Sequence, residues 1–289
     1  MVKNKKILIF GASGFLGNHL VKSLYKSNEV IQFDINSPQR EYKGTTSIQG
    51  SILDKSLVLD AMKNVDIVFH FAALTDLDNV NNNPAPAIEI NIAGTSNILD
   101  ACVEENIERL IFSSSVYVYS NTGGIYKSTK QACELLIKDY DKMYDLNYTI
   151  MQLGSVYGPK SNQTNLITRL IFEAINNGEM KHLGKGDEIR KYIFVNDVIK
   201  ASIDLIDNRF NKQKVILIGN KPVSISELMD QIISLLDSDI KKIFDNKNYN
   251  IHYKLSPFDM DVDEAINYNP DSLTNLKEGL IQTIASIQN

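Results

Sequence analysis

A chain of 289 residues, 43% hydrophobic and 22% charged, has apolar side chains enough for one large core or two lobes sharing one, and is neither disordered nor repetitive in composition. A formal net charge of −5 argues against general affinity for nucleic acid or anionic membranes and leaves room only for a local basic pocket. No apolar run reaches the length of a membrane span, and the basic start (residues 1–6) leads into a short strand and a glycine rather than a signal-type apolar core, so the expectation is a soluble, cytoplasmic protein.

Ile7-Leu8-Ile9-Phe10 reads as a short buried strand, and residues 18–25 carry apolar side chains at helical spacing. Between them lies Gly11-Ala12-Ser13-Gly14-Phe15-Leu16-Gly17. Glycines let the backbone turn sharply and let phosphate oxygens approach, while the free N–H groups of a helix start favour negative charge. A dinucleotide pyrophosphate fits such a turn. The next strand, residues 30–33, ends at Asp34. A carboxylate there accepts both ribose hydroxyls of an adenosine half and repels a 2′-phosphate, which predicts NAD rather than NADP.

A polar loop over 36–44, a strand over 46–50, a helix over 55–63 capped by Asp54 and a buried strand over 65–70 follow. Pro84 and Pro86 open a long helical segment through residue 99. Residues 109–112 form a strand closed by Ser113, Ser114 and Ser115; a helix runs over 126–144 and a sixth strand over 148–153. Strands alternating with helices predict an α/β fold of Rossmann type, a doubly wound parallel sheet with ligands at the carboxyl ends of its strands. This dinucleotide-binding domain is expected over residues 1–156. From Tyr157 the rhythm changes: a loop over 158–163, a helix over 166–176, a turn over 184–187, a strand over 192–195 and a helix to residue 206 capped by Asn196 or Asp197. Two more helices, near 226–236 and 272–287, complete a smaller C-terminal substrate-binding lobe over 157–289, of which about 190–210 is expected to pack back on the first domain. Cys102 and Cys133 fall inside helical patterns and read as buried thiols, and no metal site is expected.

Tyr126 and Lys130 stand at i and i+4, on one face of a helix. An ammonium near a phenol favours the phenolate and predicts a lowered tyrosine pKa. Such a tyrosine takes a proton from a sugar hydroxyl while hydride leaves the same carbon for a nicotinamide. Ser115, at the mouth of the preceding strand, can hydrogen-bond the same oxygen.

These residues resemble a family. Gly11-x-x-Gly14-x-x-Gly17, Asp34, His70-Phe71-Ala72-Ala73, Asn91 with Gly94-Thr95, Phe112-Ser113-Ser114-Ser115, Tyr126-x-x-x-Lys130 with Glu134, Val156-Tyr157-Gly158-Pro159 and Arg190-x-Tyr192-Ile193-x-Val195-x-Asp197-Val198 look like the extended short-chain dehydrogenases/reductases, in particular the NAD-dependent sugar-nucleotide epimerases and dehydratases. Asn269-Pro270 and Leu276-x-x-Gly279-Leu280 look like the family's tail. The resemblance implies that Tyr126 is the acid/base, Lys130 holds the nicotinamide ribose and Ser115 contacts the sugar hydroxyl. It implies NAD contacts at Gly11, Gly14, Phe15, Leu16, Gly17, Asp34, Ile35, Asn36, Ser51, Ile52, Phe71, Ala72, Ala73, Asn91 and Ser113. For the nucleotide-diphosphate sugar it implies Thr75, Ser155, Asn165, Leu166 and Arg190, the last bridging the diphosphate. His70 reads as a core-edge residue. A homodimer through the helices around 95–105 and 126–144 is implied as well.

Three departures from the family pattern matter. Ser51-Ile52 stand where an acidic residue is common, Lys191 follows Arg190 where aspartate is usual, and the segment between Ser115 and Tyr126 is short. Val116 and Tyr117 cannot supply the carboxylates of a 4,6-dehydratase, and Cys133 is poorly placed for a 3,5-epimerising reductase. The first reading is oxidoreduction at C4 of a nucleotide sugar, as a 4-epimerase or a 4-dehydrogenase; the alternatives are a nucleotide-sugar 4,6-dehydratase or reductase of the same family, or a catalytically silent NAD-binding regulatory protein. The short segment predicts an open sugar pocket, weaker retention of a keto intermediate and a lean toward the dehydrogenase.

Overall fold

The computed structural model describes residues 2–38, 40–245, 265–268, 270 and 272–288. Asn269, part of the expected tail motif, lies outside them.

Short apolar runs give the first strands: β1 (Lys6–Phe10), β2 (Glu29–Asp34), β3 (Thr45–Gln49), β4 (Ile67–His70), β5 (Arg109–Ser115) and β6 (Tyr148–Leu153). Between them run α1 (Phe15–Leu24), α2 (Lys55–Met62), α3 (Leu77–Asn82), α4 (Pro84–Ile88), α5 (Gly94–Glu104) and α6 (Gly124–Tyr144). The rest of the chain forms β7 (Ser155–Tyr157), α7 (Leu166–Asn177), β8 (Glu179–His182), β9 (Ile189–Phe194), α8 (Val195–Asp204), β10 (Gln213–Leu217), β11 (Pro222–Ser224), α9 (Ile225–Leu236), β12 (Lys241–Phe244), β13 (Ala265–Asn267) and α10 (Leu276–Gln288).

Among the described residues, eight strands make one parallel sheet in the order β3-β2-β1-β4-β5-β6-β10-β13. Strand order reverses beside β1, and the crevice above that switch point is where an open α/β sheet takes a ligand. The central strand shows why both faces are covered. Ile7 and Ile9 point into one apolar layer and Leu8 and Phe10 into the other, and all four are fully buried. Each such side chain stabilises the fold by roughly 1.5–3 kcal/mol through burial. Two strands from beyond residue 157, β10 and β13, extend the sheet, and α8 packs on α1. Small sheets, β11-β9-β7 and β12-β8, build the wall facing the strand ends.

Two local expectations need correction. The helical segment after Pro84 is not one helix: a π-helical turn, Glu89–Ala93, separates α4 from α5. Neither Asn196 nor Asp197 caps α8, whose N-cap is Phe194. The Asp197 carboxylate turns inward instead and accepts from Thr274 N (2.8 Å) and Thr274 Oγ1 (3.0 Å), tying α8 to the chain that enters α10.

Candidate active site

The glycine turn is shaped by close backbone packing. Gly11 has φ +81°, and a Cβ there would stand 2.6 Å from Ala72 N and 2.8 Å from Phe71 C, at the exit of β4. A Cβ on Gly17 would stand 2.7 Å from Ala12 Cα. Gly14 is the N-cap of α1 and brings no side chain to the helix start, so the first amides face the cleft. At the end of β2, Asp34 Oδ2 accepts from Ser13 N (3.0 Å) and Oδ1 from Asn36 N (2.9 Å). Asp34 and Asn36 line a pocket of about 210 Å³ beside the turn. The turn, the helix start and this carboxylate fit a dinucleotide.

The other residues expected to meet the cofactor have the following surroundings. Ile35 is 63% exposed and lines neither cavity. Ser51 Oγ closes its own turn by accepting from Leu53 N, and Ile52 is buried against Gly94 while its carbonyl accepts from Asn97 Nδ2. An apolar side chain gains more from that burial than from a polar pocket wall. Asn91 also sits behind the cleft. On the π-helical turn it accepts from Leu74 N (2.8 Å) and donates to Leu74 O (3.0 Å) and Thr129 Oγ1 (3.1 Å), which fixes the chain leaving β4 against α6. Phe71 and Ala73 line the cleft; Ala72, between them, packs against Gly11.

The three serines closing β5 are buried and hold different partners. Ser113 Oγ donates to His70 O (3.1 Å), and Ser113 O accepts from Lys130 Nζ (2.7 Å). Ser114 Oγ donates to Glu134 Oε1 (2.5 Å). Ser115 Oγ accepts from Tyr117 N (3.2 Å) and hydrogen-bonds the Tyr126 phenol. α6 is entered through Gly123 and Gly124, at φ +99° and +51°, and Ile125 N donates to Asn81 Oδ1 of α3 (2.9 Å). Tyr126 and Lys130 then lie one turn apart, with Lys130 Nζ 4.7 Å from the Phe112 ring centroid and 6.0 Å from that of Tyr126.

Burial dominates both groups. It pushes the Tyr126 phenol up to about 12, against the Ser115 hydrogen bond that opposes it. It draws the Lys130 ammonium down to about 8, against the attraction of Cys133 and Glu134. The expectation of a lowered phenol pKa is therefore corrected, because desolvation of the phenolate outweighs the ammonium. His70, fully buried and hydrogen-bonded to Thr95 Oγ1 (2.9 Å), is held neutral, its pKa drawn down to about 3 by burial and then by Lys130.

A cleft of about 1120 Å³ runs from the glycine turn past Ser115, Tyr126 and Lys130 to the wall of α7, β8 and β9. Thr75, Ser155, Asn165, Leu166 and Arg190 all line it. Asn165 is the N-cap of α7, accepting from Thr168 N (3.4 Å) and donating to Val156 O (2.8 Å). Sequence reasoning missed Asp76, Asp78 and Asn79 of the α3 region, Tyr117, and Arg169, His182, Lys185 and Glu188 opposite them. Asp76 left a trace: an aspartate immediately before a short helical run is a capping signal. His182 and Glu188 pair (Nε2–Oε2, 3.0 Å) only because β8 and the following turn fold together.

This architecture, with a glycine turn, an acid at the end of β2 and a Ser115–Tyr126–Lys130 set, defines an NAD-binding enzyme of the extended short-chain dehydrogenase/reductase class. Residues 7–219 match the NAD dependent epimerase/dehydratase family, and the chain belongs to that family. It is 28% identical, over 98% of both chains, to a Methanocaldococcus jannaschii protein assigned as a UDP-glucose 4-epimerase. Its fold matches the UDP-N-acetylglucosamine 4-epimerase of Methanobrevibacter ruminantium with a TM-score of 0.89 and 25% identity over 99% of both chains. The UDP-glucuronic acid 4-epimerase of Bacillus cereus, solved with UDP-glucuronic acid and NAD, shares the fold at a TM-score of 0.86 and 21% identity over 98% of this chain and 99% of its own. The cofactor is NAD. Among the described residues, no helix is long and apolar enough to cross a membrane, and no cluster of three or more His, Cys, Asp or Glu could hold a metal ion.

Proposed function

We propose that the protein interconverts C4 epimers of a nucleotide-diphosphate sugar through a 4-keto intermediate. The observation that carries this reading is the Tyr126 phenol, buried, hydrogen-bonded by Ser115 and one turn from Lys130, in a cleft that continues to Arg190. The turn over Gly11, Gly14 and Gly17 and the Asp34 carboxylate would hold NAD, whose oxidised nicotinamide accepts hydride. Tyr126 takes the proton of the C4 hydroxyl at its phenolic oxygen and returns it after the sugar has turned. Ser115 orients that oxygen. The Lys130 ammonium, anchored on Ser113 O, supplies positive charge that favours the phenolate form of Tyr126, which becomes the phenol as it takes the proton. Arg190, with Asn165 and Leu166 across the cleft, holds the diphosphate end.

Epimerisation is preferred to net oxidation because α3 packs beside the reacting groups and helps close the pocket. Asn81 holds the start of α6, and Leu77 packs with Tyr117 and Tyr126. A covered pocket keeps a keto sugar in place. Dehydration at C6 has no support at the two positions after Ser115, held by Val116 and Tyr117. Pairing of two copies through α5 and α6 is part of the proposal, supported by Leu135 and Met143, 64% and 67% exposed on α6. The buried free thiols of Cys102 and Cys133 suit a reducing, cytoplasmic setting. The test is to incubate the enzyme with UDP-, GDP-, CDP- and dTDP-hexoses and read products by proton NMR. Equilibration of C4 epimers with NAD oxidised at steady state supports epimerisation; stoichiometric NADH with a released keto sugar would replace it by the dehydrogenase.

A further inference from the structure

The two ends of the cleft carry opposite charge. Arg169, Lys185 and Arg190 line the wall of α7, β8 and β9. Of the two acids there, Asp187 and Glu188, the second is engaged by His182 and by the amides of Lys185 (3.0 Å) and Gly186 (2.9 Å). At the other end the lining is Thr75, Asp76, Asp78 and Asn79. This stretch lies beside the reacting groups, because Leu77, between the two aspartates, shares an apolar cluster with Tyr117 and Tyr126. Asp76 caps α3 with Oδ1 alone, accepting from Asp78 N and Asn79 N (3.1 Å each), and leaves Oδ2 with no hydrogen-bond partner among the described residues. The cation nearest Tyr126 in the lining, Lys130, is buried and anchored on Ser113 O. A sugar placed against Tyr126 therefore lies beside two lining carboxylates, while the arginines of the lining, Arg169 and Arg190, belong to α7 and β9.

We propose that Asp76 and Asp78 determine sugar specificity: this end of the cleft accepts a hexose that offers hydroxyl or N–H donors and bears no carboxylate, and it rejects uronates. The proposal rests on the nucleotide-sugar reading above. Carboxylates accept hydrogen bonds from hydroxyls strongly, whereas a second carboxylate brought against them is repelled. Discrimination built on repulsion is a common way to exclude a near-isosteric ligand. The anionic diphosphate is drawn to the opposite, basic wall, so the charge pattern also fixes the direction in which the substrate lies.

The test compares UDP, UDP-glucose and UDP-glucuronic acid, which differ only in the sugar and its C6 group, by calorimetry and by kcat/KM on the NAD-loaded enzyme. UDP alone reads the nucleotide-diphosphate end without the sugar. The expected result is that UDP and UDP-glucose bind, that the uronate binds at least about tenfold more weakly than UDP-glucose, and that Asp76→Asn/Asp78→Asn narrows this gap from the uronate side. Asparagine keeps the helix cap, so the pair should fold; Asp78→Lys, a second and independent variant, should favour the uronate further. If UDP binds and the uronate binds as well as UDP-glucose, the specificity proposal is overturned while the nucleotide-sugar reading stands. If none of UDP, GDP, CDP and dTDP binds, that reading fails and takes the proposal with it.

Discussion

Tyr126 and Lys130 show how far burial governs chemistry at a single residue. With its phenol pushed up to about 12, Tyr126 is a proton donor at rest and becomes an acceptor only when positive charge gathers beside it. Tyr126→Phe should fold, retain NAD and lose at least ~10²-fold in kcat, the usual scale for a general acid/base. A variant keeping most of its activity would assign the proton elsewhere. Lys130 gives a test by stability. Its folded pKa, about 8, lies below the unfolded value of 10.5, so the native state is penalised for burying the ammonium below pH 8 and is relieved as pH rises to 10.5. The difference corresponds to about 3 kcal/mol. In NAD-stripped protein, Lys130→Met should therefore gain on wild type at pH 7 and lose that gain between pH 8 and 10.5. A stability difference that is flat or grows with pH would contradict it. Asp34 predicts NAD binding far tighter than NADP, measured by calorimetry, since the nearest arginine in sequence, Arg40, stands in the following loop. These residues stood out through their spacing taken together with the family resemblance, whereas the direction of the Tyr126 shift depends on how completely α6 packs against β5, which spacing does not contain.

At the scale of elements, the strongest local signals led to the right places. Asp54 accepts from Leu57 N as expected of a cap. Other side chains take partners that no local pattern shows. Asn91, Ile52 and Asp197 are polar or apolar groups whose partners lie far along the chain, at Leu74 and Thr129, at Gly94 and Asn97, and at Thr274. Asp197→Ala should leave the amide and hydroxyl of Thr274 unpaired and loosen α10. Urea unfolding is expected to show a loss of roughly 1.5–3 kcal/mol, the range for a hydrogen bond to a charged group. An unchanged midpoint would mean that α10 is held by its apolar face alone.

The whole molecule is organised on one large sheet with a cleft over its switch point, and the doubly wound pattern predicted that sheet as far as β6. The additions at its edge were harder to see. β10 joins β6 in parallel, with Val215 opposite Met151, a pairing that must span β7, α7, β8, β9 and α8. The opposing wall arises from short strands such as β8 and β12, whose few residues carry little period. The most direct measurement of what the molecule does is isotopic: UDP-glucose and UDP-N-acetylglucosamine deuterated at C4, incubated with wild type and with Tyr126→Phe, and read by mass spectrometry and NMR. Hydride removal and return at C4 predicts a C4 epimer that keeps its deuterium at C4, formed at a rate slowed by the label and nearly abolished in the variant. An epimer with hydrogen at C4, or a product lighter by one water, would contradict it.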